Sequence, residues 1–336
     1  MLITPILVTL MIGQTSPITN PVAPAAGIKL YRTFKLGETR TYKVNTIMTS
    51  EQRSTGLNSF LPHDDGFEYT FTTKVTKLLV GGIAAIRYER PKTVYIFGEY
   101  GDQPEKRTEQ KGGGYKLDLE VSPTNDLLEM KEVPKPKPSK PGSGKASPKL
   151  LDIRSMSAAA RQDYTNQIGG QFLSTLYQIA LGIGDFSFYD ISPILPYMNV
   201  KVGDTWHKTV GYSPKSLYGA KKMAVQRLDM TYTYMGQIKE NNKVYTRVKA
   251  TTSMDADLGE YLNQSYGATS AQTGIKSLKT TFQTEYVYDL DPSNLAPIRV
   301  SSKSSGSTIL LAVGPKEPIE ETNFIGEGTM FLVSAK

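Results

Sequence analysis

The sequence predicts a mainly β protein of the α+β class: a curved antiparallel sheet or half-barrel made from two β halves and covered by one amphipathic helix. Three observations predict it. Short stretches that alternate apolar and polar residues recur along the chain, as half-buried strands require; Phe67, Tyr69 and Phe71 are one example, and Met230, Tyr232 and Tyr234 another. Only one long stretch instead repeats its apolar positions every fourth residue. The third observation is a turn that occurs twice. Lys35-Leu36-Gly37-Glu38-Thr39 and Lys201-Val202-Gly203-Asp204-Thr205 share the order Lys, aliphatic, Gly, acid, Thr, and Tyr42 or Trp206 follows shortly after. Two related β halves would produce this match. So would two hairpins drawing independently on the few residue types that suit a turn.

Composition narrows the function classes. With 39% hydrophobic and 10% aromatic residues, the 336-residue chain can bury a core, so it is globular rather than disordered. The absence of cysteine removes disulfides, thiolate metal sites, cysteine nucleophiles and a lipidated N-terminal cysteine together. The formal net charge is +7, but residues 131–149 carry five of those charges. The nearly balanced remainder offers no basic face for phosphates, and nucleic-acid binding is not expected.

Taken in order, residues 1–27 read as a signal peptide followed by a Pro/Ala-rich leader. The apolar run Ile3–Ile12 falls far short of the ~20 residues that span a bilayer, and small residues follow it where a peptidase could cut. No Lys or Arg precedes the run, so a buried N-terminal strand is the competing reading. Residues 28–130 form the first β half. Lys74–Val80, Gly81-Gly82 and Ile83–Tyr88 make a hairpin signature, and Pro91 marks a break or an edge. Residues 131–150 are a Lys/Pro-rich insertion whose X-Pro bonds and like charges keep it extended and disordered.

Residues 151–190 carry the helix. Met156, Ala160, Tyr164, Ile168, Phe172 and Leu176 fall on one face, and Gly182 and Gly184 supply its stop. Such a helix in a β chain covers an open sheet face, or else acts as a lid or binds a membrane surface. Residues 191–336 form the second β half, which folds with 28–130 as one domain. Its anchor is Gly203, Asp204 and Trp206: a turn pair followed by the chain's only tryptophan on a strand. Trp206→Ala is therefore expected to be the most damaging single change. Residues 258–275, rich in Gly, Ser and Gln, read as a long loop or a weak strand pair. Asp289 and Asp291 read as turn formers.

Chemistry is sparsely marked. His63 sits in a turn-like Pro-His-Asp-Asp-Gly run and His207 follows Trp206, with no spacing that demands a metal. Asp255, Asp257 and Glu260 resemble the start of a calcium loop but lack its glycine and distant glutamate. No nucleophile elbow or phosphate loop occurs. No catalytic residue, metal or cofactor is assigned.

Gly203-Asp204-Thr205-Trp206, with Tyr286-Val287-Tyr288-Asp289 and Asp291-Pro292 downstream, resembles a family of secreted bacterial β domains of unknown function that carry a K-V-G-D-[ST]-W segment. Here Pro196 stands further from Lys201 than in that pattern, and the Lys-rich insertion is extra. That family is similar to lipoprotein-carrier half-barrels, in which a helix covers an apolar concavity. The resemblance implies a non-enzymatic, exported envelope protein (periplasmic or extracellular) with a lipid or lipoprotein partner. The expected cavity is lined by Phe172, Leu176, Tyr232 and Tyr286. A structural or adhesive surface module with a filled core is the alternative. Oligomeric state is not readable from the sequence.

Overall fold

The computed structural model describes residues 27–56, 58–97, 106–109, 115–133, 192–212, 226–265 and 269–336. The predicted leader, nearly all of the Lys/Pro insertion and the whole predicted covering helix, Phe172 and Leu176 included, lie outside the described residues.

The first part of the chain supplies β1 (Ile28–Lys29), β2 (Thr39–Ser54), β3 (Leu61–Leu78), β4 (Ala84–Arg90) and β5 (Thr93–Phe97). It continues with β6 (Lys106–Glu109), β7 (Tyr115–Val121) and β8 (Leu127–Glu132). After residue 192 come β9 (Asn199–Val200), β10 (Thr205–Tyr212), β11 (Gln226–Glu240) and β12 (Lys243–Asp257). Two short helices, α1 (Gly259–Ser265) and α2 (Ser270–Thr273), precede β13 (Ile275–Leu290), β14 (Pro297–Ala312) and β15 (Glu320–Ala335). Strand content is dominant and the sheet is antiparallel throughout.

Among the described residues, thirteen strands form one open sheet in the order β10-β11-β12-β13-β14-β15-β2-β3-β4-β7-β8, with β5 and β6 branching from β3. The two β halves are therefore a single sheet, joined where β15 pairs with β2. Local chemistry explains its corners. Asn241 and Asn242 both take positive φ, the conformation a two-residue hairpin demands and asparagine tolerates. Gly236, at φ 91°, sits at the bulge that shifts the β11·β12 register. β4 stops at Arg90, just before Pro91, as a residue without a ladder donor dictates.

The repeated Lys-Gly-acid turn is the same structure in both places. Gly37 has φ 82° and Gly203 φ 91°. Glu38 N–H donates to Lys35 C=O at 3.0 Å, and Asp204 N–H donates to Lys201 C=O at 3.0 Å. Each glycine then donates to the neighbouring strand, Gly37 to Val75 and Gly203 to Tyr234, and each of those residues donates back to the acid's carbonyl.

The segment rich in Gly, Ser and Gln differs from the expected loop, because it contains α1 and α2. A capping box starts α2: the Thr269 hydroxyl caps it while the Gln272 side chain accepts from the Thr269 N–H at 2.8 Å. Asp289 is likewise no turn former. It lies within β13 with its carboxylate 2% exposed, held by Arg247 at 2.6 and 3.1 Å and by Arg299 at 2.6 Å. Glu240 accepts from the same Arg299 Nη2 at 2.6 Å, so two acids and two arginines from four adjacent strands close the set.

Candidate ligand-binding face

Inward-facing residues of the central strands change character from one end of the sheet to the other. At the end where β10 begins, they are large and aromatic. Tyr232 and Tyr234 of β11, Tyr286 and Tyr288 of β13, Tyr42 of β2, and Tyr69 and Phe71 of β3 are all buried in one cluster with Val248, Val300 and Met330. Rings stack in pairs: Tyr42 on Phe71 at 5.0 Å, Tyr286 on Tyr288 at 5.8 Å, and Trp206 on Tyr232 at 5.6 Å.

Of the sequence-predicted lining, Tyr232 and Tyr286 do meet on this face. Each lies opposite Ala250 of β12, one on either side, where the small side chain leaves room for two rings. Trp206 is half-buried against the same cluster, and its indole N–H donates to Ile194 C=O at 2.7 Å. Gly203 and Asp204 form the turn ahead of it, with the Asp204 carboxylate accepting the Lys201 N–H at 2.8 Å.

A strap of chain, residues 192–200, seals this end. Leu195 N–H donates to Thr124 C=O at 2.8 Å, and the Asn125 side-chain amide donates to Pro193 C=O at 2.8 Å. The strap thereby links β10, one free edge of the sheet, to the turn beside β8, the other. Arg32 lies beneath it, 7% exposed, with one guanidinium nitrogen donating to Asn125 Oδ1 at 3.2 Å. Burial drops the Arg32 pKa to about 10, which leaves it charged at neutral pH. Beside it lies a void of only about 10 Å³ among Tyr42, Phe71, Ser192 and Met330, room for one water.

Further along the same strands the inward side chains become small and hydroxylated. Ser302 and Ser304 of β14 lie opposite Gly328 and Gly326 of β15, and these in turn lie opposite Thr46 and Met48 of β2. On the other side, Thr284 of β13 reaches the Ser304 hydroxyl at 2.9 Å, and Thr252 of β12 donates to Asp229 C=O at 3.0 Å. A Phe282–Phe324–Met48 cluster walls this floor on its far side. Gly306 lets the two phenyl groups meet, because a Cβ there would strike Phe282, Phe324 and the Thr281 carbonyl.

Beyond the phenyl wall stand Thr280, Thr308 and Thr322 in register, and then Glu320 opposite Leu310. Burial raises the Glu320 carboxyl above its ordinary range, partly offset by the neighbouring polar side chains of Gln52 and Thr322. The face thus carries a hydroxyl floor between two aromatic walls, with one acid of raised pKa near its end. Sequence reasoning missed the floor and Glu320, since Ser301–Gly306 shows no apolar alternation to read.

His207 and Asp257 stand apart from this face, whereas the register sets His63 in the row of Phe282, Phe324 and Ser50. His207 is exposed on edge strand β10, 3.0 Å from the Thr231 hydroxyl, and His63 lies opposite Ser50 in the β2·β3 ladder. Asp257 is a structural acceptor rather than the start of a calcium loop. Burial favours its neutral form, but Ser277 and the Gly259 and Leu278 N–H groups outweigh this and hold its pKa below the usual carboxylate range. Among the described residues no group of three His, Asp or Glu side chains is placed to hold a metal ion. No helix among them is long and apolar enough to cross a membrane.

No protein-family profile matches the chain, and no curated protein matches it. Solved structures give distant likenesses. A lipovitellin structure, described in terms of lipid–protein interactions, aligns with 90% of this chain at 12% identity and a TM-score of 0.37; the chain spans 26% of that protein. DynF of the dynemicin biosynthesis pathway from Micromonospora chersina aligns with 95% of the chain and 90% of its own, at 8% identity and a TM-score of 0.21. An outer membrane lipoprotein-sorting protein domain from Vibrio parahaemolyticus aligns with 87% of the chain and 84% of its own, at 7% identity and a TM-score of 0.13. At these TM-scores the likenesses transfer no activity; what they share with this chain is an extensive alignment to proteins of different roles.

Proposed function

We propose that the protein is a non-enzymatic, exported envelope protein that holds an apolar, lipid-like ligand on the inner face of its sheet, with residues 151–190 covering it. The hydroxyl floor supports this reading. Ser302, Ser304, Gly326 and Gly328 put small side chains between Tyr286 and Met330 on one side and Phe282 and Phe324 on the other. Mostly apolar walls with a few polar groups are what a small-molecule site needs: the walls take the acyl or ring portion, and the hydroxyls and Glu320 orient a polar head. The helical pattern of 151–190, with Phe172 and Leu176 on its apolar face, supplies the chemistry for a cover.

The competing reading is a structural or adhesive module with a filled interior. The close packing at the strap end, where the void beside Arg32 holds about 10 Å³, favours it for that end. Native mass spectrometry of the protein purified from its own cells separates the two. A co-purified mass in the lipid range, lost from a Ser304→Leu variant that fills the floor, supports the carrier; a bare polypeptide mass supports the filled module.

A further inference from the structure

We propose that the strap end of the molecule docks on an anionic membrane surface through an exposed apolar rim set among lysines. The β3–β4 hairpin projects past β2, since Thr39, where β2 begins, pairs with Lys74 and the hairpin continues beyond Leu78. Its tip is Leu78-Leu79-Val80-Gly81-Gly82, with Val80 95% exposed and Leu78 49%. Gly81 and Gly82 both take positive φ, and that conformation makes the tight turn. A tight apolar hairpin tip gains nothing from facing water.

The tip belongs to a contiguous rim. The Tyr31 hydroxyl lies 3.4 Å from Gly81 C=O, and a Cβ on Gly82 would meet Pro123 of the β7–β8 turn at 3.1 Å. From that turn, Asp126 accepts the Tyr197 hydroxyl at 2.9 Å. Tyr197 is 69% exposed and Met198 72%. β1 returns the chain to the same place, because Lys29 pairs with Asn199 next to Met198. Two tyrosines, a methionine, a valine and two leucines thus share one end of the sheet.

Cations accompany them. The Lys29 ammonium sits 5.0 Å over the Tyr31 ring and the Lys208 ammonium 4.6 Å over the Tyr197 ring, while Lys77 and Lys201 stand exposed beside the tip and the strap. Against them stand Asp126, which Lys208 approaches at 3.7 Å, and Asp204, already bonded to backbone. Amphipathic tyrosines, aliphatic tips and surplus lysines are the combination that settles at the headgroup boundary of an anionic bilayer. The inference does not require a ligand on the inner face: a filled module could dock in the same way.

The full chain is mixed with vesicles of phosphatidylcholine alone or with added phosphatidylglycerol, and the bound fraction is read by co-sedimentation. Binding at least about tenfold tighter to the anionic vesicles, weakening as salt is raised, is expected from the lysines. The double variant Val80→Asp/Met198→Asp should lose about tenfold or more of that affinity while keeping the wild-type Trp206 near-ultraviolet circular dichroism, because both positions are exposed. The proposal is overturned if the wild type ignores anionic vesicles or if the double variant binds them equally well. It is also overturned if the variant's only change is from a dimer to a monomer in sedimentation velocity, which would make the rim a contact between copies.

Discussion

The two ends of the inner face are spun from the same strands and are held together by different means. At the strap end, each strand contributes a tyrosine, phenylalanine or large aliphatic residue, and the two free edges of the sheet are tied through residues 192–200. Past Tyr286 and Met330 the same strands contribute serine, threonine and glycine, whose burial removes little apolar area from water. The comparison teaches that heavy aromatic burial and small hydroxylated side chains are separated along the strand direction. One end is filled by stacked rings, and the other is floored by small side chains.

If that division is right, substitutions should rank by which end they touch. Tyr232→Ala and Tyr286→Ala, at 0% and 2% exposure, should each cost about 3–5 kcal/mol in denaturant unfolding. Trp206→Ala should cost less than either, since its ring is only half-buried; a larger loss would mean that the strap, rather than the stacked tyrosines, fixes the end. Asp289→Asn should cost about 2 kcal/mol, because it replaces the buried carboxylate between Arg247 and Arg299 with a neutral amide, though the arginines' partial exposure softens the loss.

Gly306→Ala comes next. It forces Phe282 and Phe324 apart at about 1–3 kcal/mol, and the resulting melting shift should exceed that of Ser304→Ala. Ser304→Ala removes one floor hydroxyl bond and should stay within about 1 kcal/mol while reducing any co-purified ligand mass.

Glu320→Gln has the smallest expected effect and the most informative sign. A carboxyl whose folded pKa is raised keeps its proton longer in the fold than in the unfolded chain. Its contribution to stability is therefore greatest at low pH and falls as pH rises from the ordinary 4.5 through the raised folded value. The variant should be slightly more stable than the wild type at neutral pH and lose that advantage on acidification. A constant difference across pH would mean that Glu320 is not desolvated.

Much of the architecture could be read from local pattern. Alternation marked Met230–Tyr234 and Phe67–Phe71, and the Lys-Gly-acid turn proved to have the same backbone bonds at Gly37 and Gly203. Tyr232 and Tyr286, which the sequence puts in an apolar cavity lining, share a face across Ala250. The remainder depended on partners distant in sequence. Nothing near Asp289 reveals that Glu240, Arg247 and Arg299 will converge on it from three other strands. The hydroxyl floor is silent because serine and glycine look alike on either face until the register assigns one. α2 is legible only through the Thr269–Gln272 capping box, a short signal inside a stretch that otherwise reads as loop.

β15 stands sixth of the eleven strands along the main path, between β14 and β2, yet it comes after all the other described strands in sequence. Until it arrives, β10–β14 and β2–β8 are two separate ribbons, each with a raw edge, and the pairing that unites them bridges residues as far apart as Arg40 and Ala335. A nascent chain cut short between Ala312 and Glu320 would thus expose the long borders of β14 and β2 instead of one finished sheet, so aggregation of such fragments is a built-in hazard of this strand order.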